Sequence, residues 1–159
     1  MIDLDVIGIR LASPDDTPVL LLKESEGTRL LPIWISTVDA AAIAIVLDDS
    51  AEFHRPMTHD LLANVLDEVC EGKPGVINIA EMRDGVFYAS ITAGSFVFDA
   101  RPSDAIAAAL RLAWNIECSE QLMDQVGVEV DQSETDQVEK FREFLDTVTP
   151  DDFENDEET

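Results

Sequence analysis

Residues 76–114 read VINIAEMRDGVFYASITAGSFVFDARPSDAIAAALRLAW, and their pattern decides the fold class. Val76 to Met82 and Val86 to Ala93 are rich in β-branched and aromatic side chains and flank Asp84-Gly85, which predicts a β-hairpin. A third short strand, Phe96 to Asp99, comes before any helix. Arg101-Pro102-Ser103-Asp104 then opens a helix that runs to about Trp114, since proline is tolerated at a first helical position, where its missing N–H would be unpaired anyway. Ile116 to Ser119 reads as a last strand, followed by one helical turn through Met123. Strands that come in runs, with helices between them, predict an α+β domain with a mixed or largely antiparallel sheet packed by helices.

The upstream half fits the same reading. Ile2 to Leu11 is a predicted strand, and Ser13-Pro14-Asp15-Asp16 a loop. Val19 to Lys23 and Leu30 to Ile35 bracket Ser25-Glu26-Gly27, a second hairpin signal. Val38 to Leu47 is a nearly all-apolar, alanine-rich helix, expected to be buried on several sides and suited to a subunit contact. Thr58 to Glu71 is an amphipathic helix with Leu61, Leu62, Val65, Leu66 and Val69 on one face and Gly72 as its stop.

With 159 residues, 46% of them hydrophobic, the chain has enough apolar material for one real core without disulfides or a structural metal. The longest apolar run, Ala40 to Leu47, is far short of the roughly 20 residues that span a bilayer. Acids follow Met1 where a signal peptide would carry bases, so a cytoplasmic location without membrane attachment is expected. Cys70 and Cys118 lack metal-site spacing and read as buried thiols.

The net charge of -24 disfavours sequence-independent nucleic-acid binding through a basic face. Lysine occurs only at 23, 73 and 140, and the other seven bases are arginines, whose planar fork suits carboxylate or phosphate. Residues 1–128 carry 21 acids and 8 bases, whereas 129–159 carry 13 and 2, so the compact domain is expected to end near residue 128. The remainder reads as an acidic linker, a short helix with Val138, Phe141, Leu145 and Val148 on one face, and a frayed end.

Two helix starts look alike. Arg55-Pro56-Met57-Thr58-His59-Asp60 and Arg101-Pro102-Ser103-Asp104 each combine an arginine, a proline, a hydroxyl residue and an aspartate. Capping alone explains such a pattern, because Asp and Ser/Thr oxygens satisfy free backbone amides. A helix start with an adjacent guanidinium also holds phosphate, which assigns substrate binding to Arg55, Arg101 and Ser103. His59 supplies acid–base chemistry near neutral pH, with Asp60 and Asp104 beside it as catalytic candidates. Asp99 and Asp104 are candidate ligands for Mg2+ or Mn2+. His54 and His59 lie five apart and do not share a helical face, which argues against a two-histidine zinc site.

Four ordered motifs carry a family resemblance: Leu31-Pro32-Ile33-Trp34-Ile35, Asp39-Ala40, His54 through Leu61, and Asp99 through Ala107. Over about residues 1–126 the chain closely resembles the bifunctional nuclease family, also called the domain of unknown function 151 family. Phe141 to Asp146 and Pro150 to Phe153 resemble an extension found in bacterial members. Where the family commonly has Glu-Ala ahead of the apolar helix, this chain has Asp39-Ala40. The resemblance implies a compact α+β domain that assembles into homo-oligomers and, for some members, cleavage of both RNA and DNA. The expected function is hydrolysis of phosphodiester bonds, dependent on a divalent cation, with weak and salt-sensitive hold on nucleic acid. The alternative is a non-catalytic oligomeric anion-binding or regulatory module.

Overall fold

The computed structural model describes residues 1–130 apart from 12, 14 and 49–53, so the predicted tail helix lies outside the described residues. Eight strands form one mixed sheet: β1 (Ile2–Arg10), β2 (Val19–Glu24), β3 (Arg29–Trp34), β4 (Val76–Arg83), β5 (Val86–Ala93), β6 (Phe96–Ala100), β7 (Asn115–Cys118) and β8 (Val128–Glu129). Their order across the sheet is β6-β5-β4-β7-β1-β2-β3-β8. Helices α1 (Thr37–Leu47), α2 (Thr58–Val69), α3 (Pro102–Leu112) and α4 (Glu120–Val126) complete the α+β domain.

Asp84 and Gly85 form the tight turn between β4 and β5, with φ of 53° and 74° and Arg83 paired to Val86. Positive φ at both central residues matches the right-handed twist of the strands, and aspartate and glycine tolerate it best. From the edge strand β6 the chain rises into α3, which crosses the sheet and returns as β7. That crossover makes β4–β7 a parallel pair, while the other described pairs are antiparallel.

Helix α3 is the centre of the packing. It lies on β4, β5 and β7 and touches both α1 and α2. Residues 105–109 are all buried, and four of the five are alanines, which let neighbouring backbones approach closely. Beneath them Ile77, Ile79, Leu20, Leu22 and Leu31 fill the core. The expectation that Val38 to Leu47 would be buried on several sides is corrected. Only Asp39, Ala40 and Ile43 of α1 are buried, and Val38 is 79% exposed. The helix with layers on both sides is α3; α1 meets the body along one stripe. Likewise, α4 extends beyond the single expected turn, to Val126.

Gly75 marks the entry to β4 by close approach. A Cβ there would fall on the Thr92 carbonyl oxygen and 2.6 Å from the ring of buried Trp114. Gly75→Ala is expected to cost about 1–3 kcal/mol through overpacking. For a domain of this size that lowers the melting temperature by about 2–4 °C per kcal/mol. An unchanged thermal melt would contradict this packing.

Candidate active site

The three helix starts converge. Ser36 caps α1: its Oγ accepts from the Asp39 amide at 3.1 Å and donates to Asp39 Oδ2 at 2.8 Å. In α2, Asp60 Oδ2 accepts the amide of Met57 at 2.8 Å, reaching back across the first turn. Pro102 opens α3, and the preceding Arg101 is extended, as a residue before proline prefers. The two look-alike motifs therefore diverge in use. Asp60 caps its helix, while Asp104 turns to side chains.

Arg101 reaches 62 residues back along the chain. Its Nη1 and Nη2 donate to the two oxygens of Asp39, each at 3.1 Å, and its Nε donates to Asp104 Oδ2 at 2.9 Å. The other oxygen of Asp104 meets His59 Nε2 at 2.8 Å. A parallel set forms around Asp60: Arg111 Nε donates to Oδ1 at 2.6 Å, and His54 Nε2 meets Oδ2 at 3.1 Å. Both histidines of the chain are thus paired with an aspartate that an arginine also holds.

Arg111 is the most enclosed charge of the cluster, its side chain 8% exposed. Beyond Asp60 it donates to the carbonyls of Ala107 in its own helix, at 2.8 Å, and Ala42 in α1, at 3.1 Å. The Met57 amide, then Arg111 and the His54 contact, hold the Asp60 carboxyl down at about 2 against the opposing effect of burial. At Asp39, burial pushes upward, but the Ser36 hydroxyl and the Arg101 guanidinium outweigh it and the net shift is down. Arg101 is shifted upward in turn by Asp39 and Asp104.

An ionised carboxylate only accepts, so the proton between His59 and Asp104 resides on His59 Nε2. Nδ1 is then the ring nitrogen outside this contact. The His59 side chain is 18% exposed, and the contact with Asp104 fixes the orientation of its ring.

Of the residues expected at the site, His59, Asp104 and Arg101 come together, and Asp60 stands in the parallel set with Arg111 and His54. Arg55 is exposed, with no ion pair among the described residues. Ser103 is buried in the first turn of α3, 6% exposed. Asp99 lies on exposed β6 opposite Ser90, along a cavity it shares with Arg101 and Asp104. Among the described residues no three His, Cys, Asp or Glu side chains gather into a set that could hold a metal ion. Asp104, a candidate metal ligand, is turned to Arg101 and His59. Arg111 was not anticipated from the sequence, although its position two helical turns after Asp104 places both on one face of α3.

An α+β domain whose helix starts are joined by Asp–Arg and Asp–His contacts is what the fold and this cluster define. The chain belongs to the bifunctional nuclease domain family, whose model matches residues 20–131 and so contains every member of the cluster. It is also 41% identical over 166 residues to two proteins of Mycobacterium tuberculosis. These are uncharacterized protein Rv1829 of strain H37Rv and uncharacterized protein MT1877 of strain CDC 1551. Each alignment covers 95% of this chain and 97% of the relative. No helix among the described residues is long and apolar enough to cross a membrane.

Arg111→Ala removes the donor to Asp60 Oδ1 and to the Ala42 carbonyl. Because Asp60 is 26% exposed, the cost is expected at the low end of the range for a broken buried pair, about 3 kcal/mol. The pH dependence follows from the depressed carboxyl: its stabilisation is full above about pH 4 and is lost as pH falls through about 2. Asp60→Asn should therefore be less stable than the parent at pH 7, with the gap closing toward pH 2 in denaturant titrations. A gap independent of pH would contradict the assignment.

Proposed function

We propose that this domain works in the cytoplasm as a nuclease, hydrolysing phosphodiester bonds in RNA or DNA with His59 as its acid–base group. The observation that carries the reading is the 2.8 Å contact of His59 Nε2 with Asp104, whose other oxygen is fixed by Arg101. Family membership supports the reaction class. In the proposed step, His59 Nδ1 takes a proton from the attacking water, that oxygen forms a bond to phosphorus, and the bond to the leaving oxygen breaks. The leaving oxygen then receives a proton from solvent or the imidazolium. Arg55 and the outer edge of Arg101, whose side chain is 63% exposed, face the phosphate charge. A divalent-cation requirement is part of the same proposal: the ion would help neutralise charge that develops on the phosphate, and cleavage that survives a chelator would remove it.

The rival reading, a non-catalytic oligomeric anion-binding or regulatory module, has its own support. Every guanidinium nitrogen of Arg101 already donates to a carboxylate, which is what a scaffold arginine does. We also propose that the domain self-associates, through the exposed face of α1 that carries Val38 and Ala41.

The discriminating assay incubates labelled single-stranded RNA and DNA with the full chain at low salt, with magnesium or manganese and with a chelator. Cleavage should fall steeply with added salt and drop about 10²-fold or more in His59→Ala. Arg55→Ala should weaken substrate binding, leaving the melting temperature nearly unchanged. Equal cleavage by parent and His59→Ala would reject the histidine role, and no cleavage in any condition would favour the binding module.

A further inference from the structure

An apolar cavity of about 590 Å3 opens between α2 and strands β5 and β6. Leu66 and Ile91 form buried parts of its wall, Val65, Val69 and Phe98 lie at its exposed edges, and Asp99, Arg101 and Asp104 border one end. That charged end is continuous with the His59 cluster, because Asp104 belongs to both. We propose that this cavity receives one unpaired nucleobase of the substrate strand while the adjoining phosphate lies at the Arg101 rim. For the identity of its occupant the inference rests on the nuclease reading.

Three physical arguments converge on a base. The volume lies within the range of about 300–1,000 Å3 typical of small-molecule sites, and a mostly apolar lining with a few convergent polar groups is their usual composition. The rim sets the exposed Arg101 between Asp99 and Asp104, so an occupant with an apolar body and a polar end that offers both a phosphate to the arginine and hydroxyl donors to the carboxylates, as a nucleotide does, matches the cavity along its length. The third argument is the charge of -24 on the whole chain. A protein with so few bases cannot hold a polyanion by tracking its backbone, so binding needs a local apolar contribution. Stacking or burial of a base supplies that contribution without regard to sequence.

A paired base is unavailable to such a cavity unless it is first unstacked, at a cost of about a few kcal/mol. The chain lacks the basic surface that would offset it. Single strands and unpaired ends are therefore the substrates this cavity selects over duplex.

The test is thermal melting of the full chain at low salt with adenosine 5′-monophosphate, ribose 5-phosphate or inorganic phosphate. The nucleotide is expected to bind about tenfold or more tightly than ribose 5-phosphate, the increment of one stacked base. Val65→Trp fills the cavity mouth from a position 52% exposed, where the fold tolerates change. It should abolish that increment and keep the response to phosphate. Phe98→Ala, on the edge strand, serves as a second variant and should reduce the increment. Equal binding of nucleotide and ribose 5-phosphate by the parent would overturn the inference. So would a Val65→Trp protein that keeps the increment and sediments as a smaller species, since a second copy would then cover the cavity. Cleavage without a base increment would leave the nuclease reading standing and remove this one, whereas a base increment without cleavage would do the reverse.

Discussion

One guanidinium joins three helices. Arg111 donates to Asp60 at the start of α2, to the Ala42 carbonyl of α1 and to the Ala107 carbonyl of its own α3. An arginine stays charged at any pH a protein survives, so a nearly enclosed one needs donors satisfied and charge balanced, and this geometry supplies both. The carbonyl of Ala42 is reachable only if α1 lies close against α3, which the buried alanines of α3 permit. Small side chains in the packing layer and a long cation at its edge are thus two parts of one solution. The alanines bring the helices together, and Arg111 fixes their relative position.

The positions of the histidines follow from that constraint. Asp60, fixed by Arg111 and by the Met57 amide, sets the start of α2, and His59 is the residue beside it. Asp104, one turn into α3, is set by Arg101, which Asp39 of α1 anchors in turn. The 2.8 Å contact between His59 and Asp104 is therefore defined from both sides by helices that α1 ties together. In the proposed reaction, an imidazole oriented this way would not have to be ordered when substrate arrives, which is how positioning lowers a barrier.

Much of the fold was legible in the sequence because its signals are local. The Asp84-Gly85 turn, the proline after Arg101 and the amphipathic face of α2 each act over a few residues. The burial of α1 was misjudged for a physical reason: an alanine-rich apolar run looks the same whether it is enclosed or meets the body along one stripe. At the site, His59, Asp60, Asp104 and Arg101 were readable from the repeated motif. Their partners were not. The Asp39–Arg101 contact spans 62 residues and the Arg111–Asp60 contact 51, and no local pattern encodes such pairs. His54 was weighed as a zinc ligand against His59, yet each takes a different aspartate.

The acidity of the chain and an anion-handling site are compatible once charge is counted locally. With both imidazoles neutral, Asp39, Asp60 and Asp104 against Arg101 and Arg111 leave the cluster one negative charge in excess. At distances of about 3 Å these charges act well inside the Debye length of about 8–10 Å, while most of the chain's acids are screened from them by solvent. The -24 of the whole chain therefore describes a long-range field that repels polyanions, whereas the cluster is close to balanced on the scale of its own contacts. Holding each of its carboxylates against an arginine is what separates that local balance from the charge of the chain.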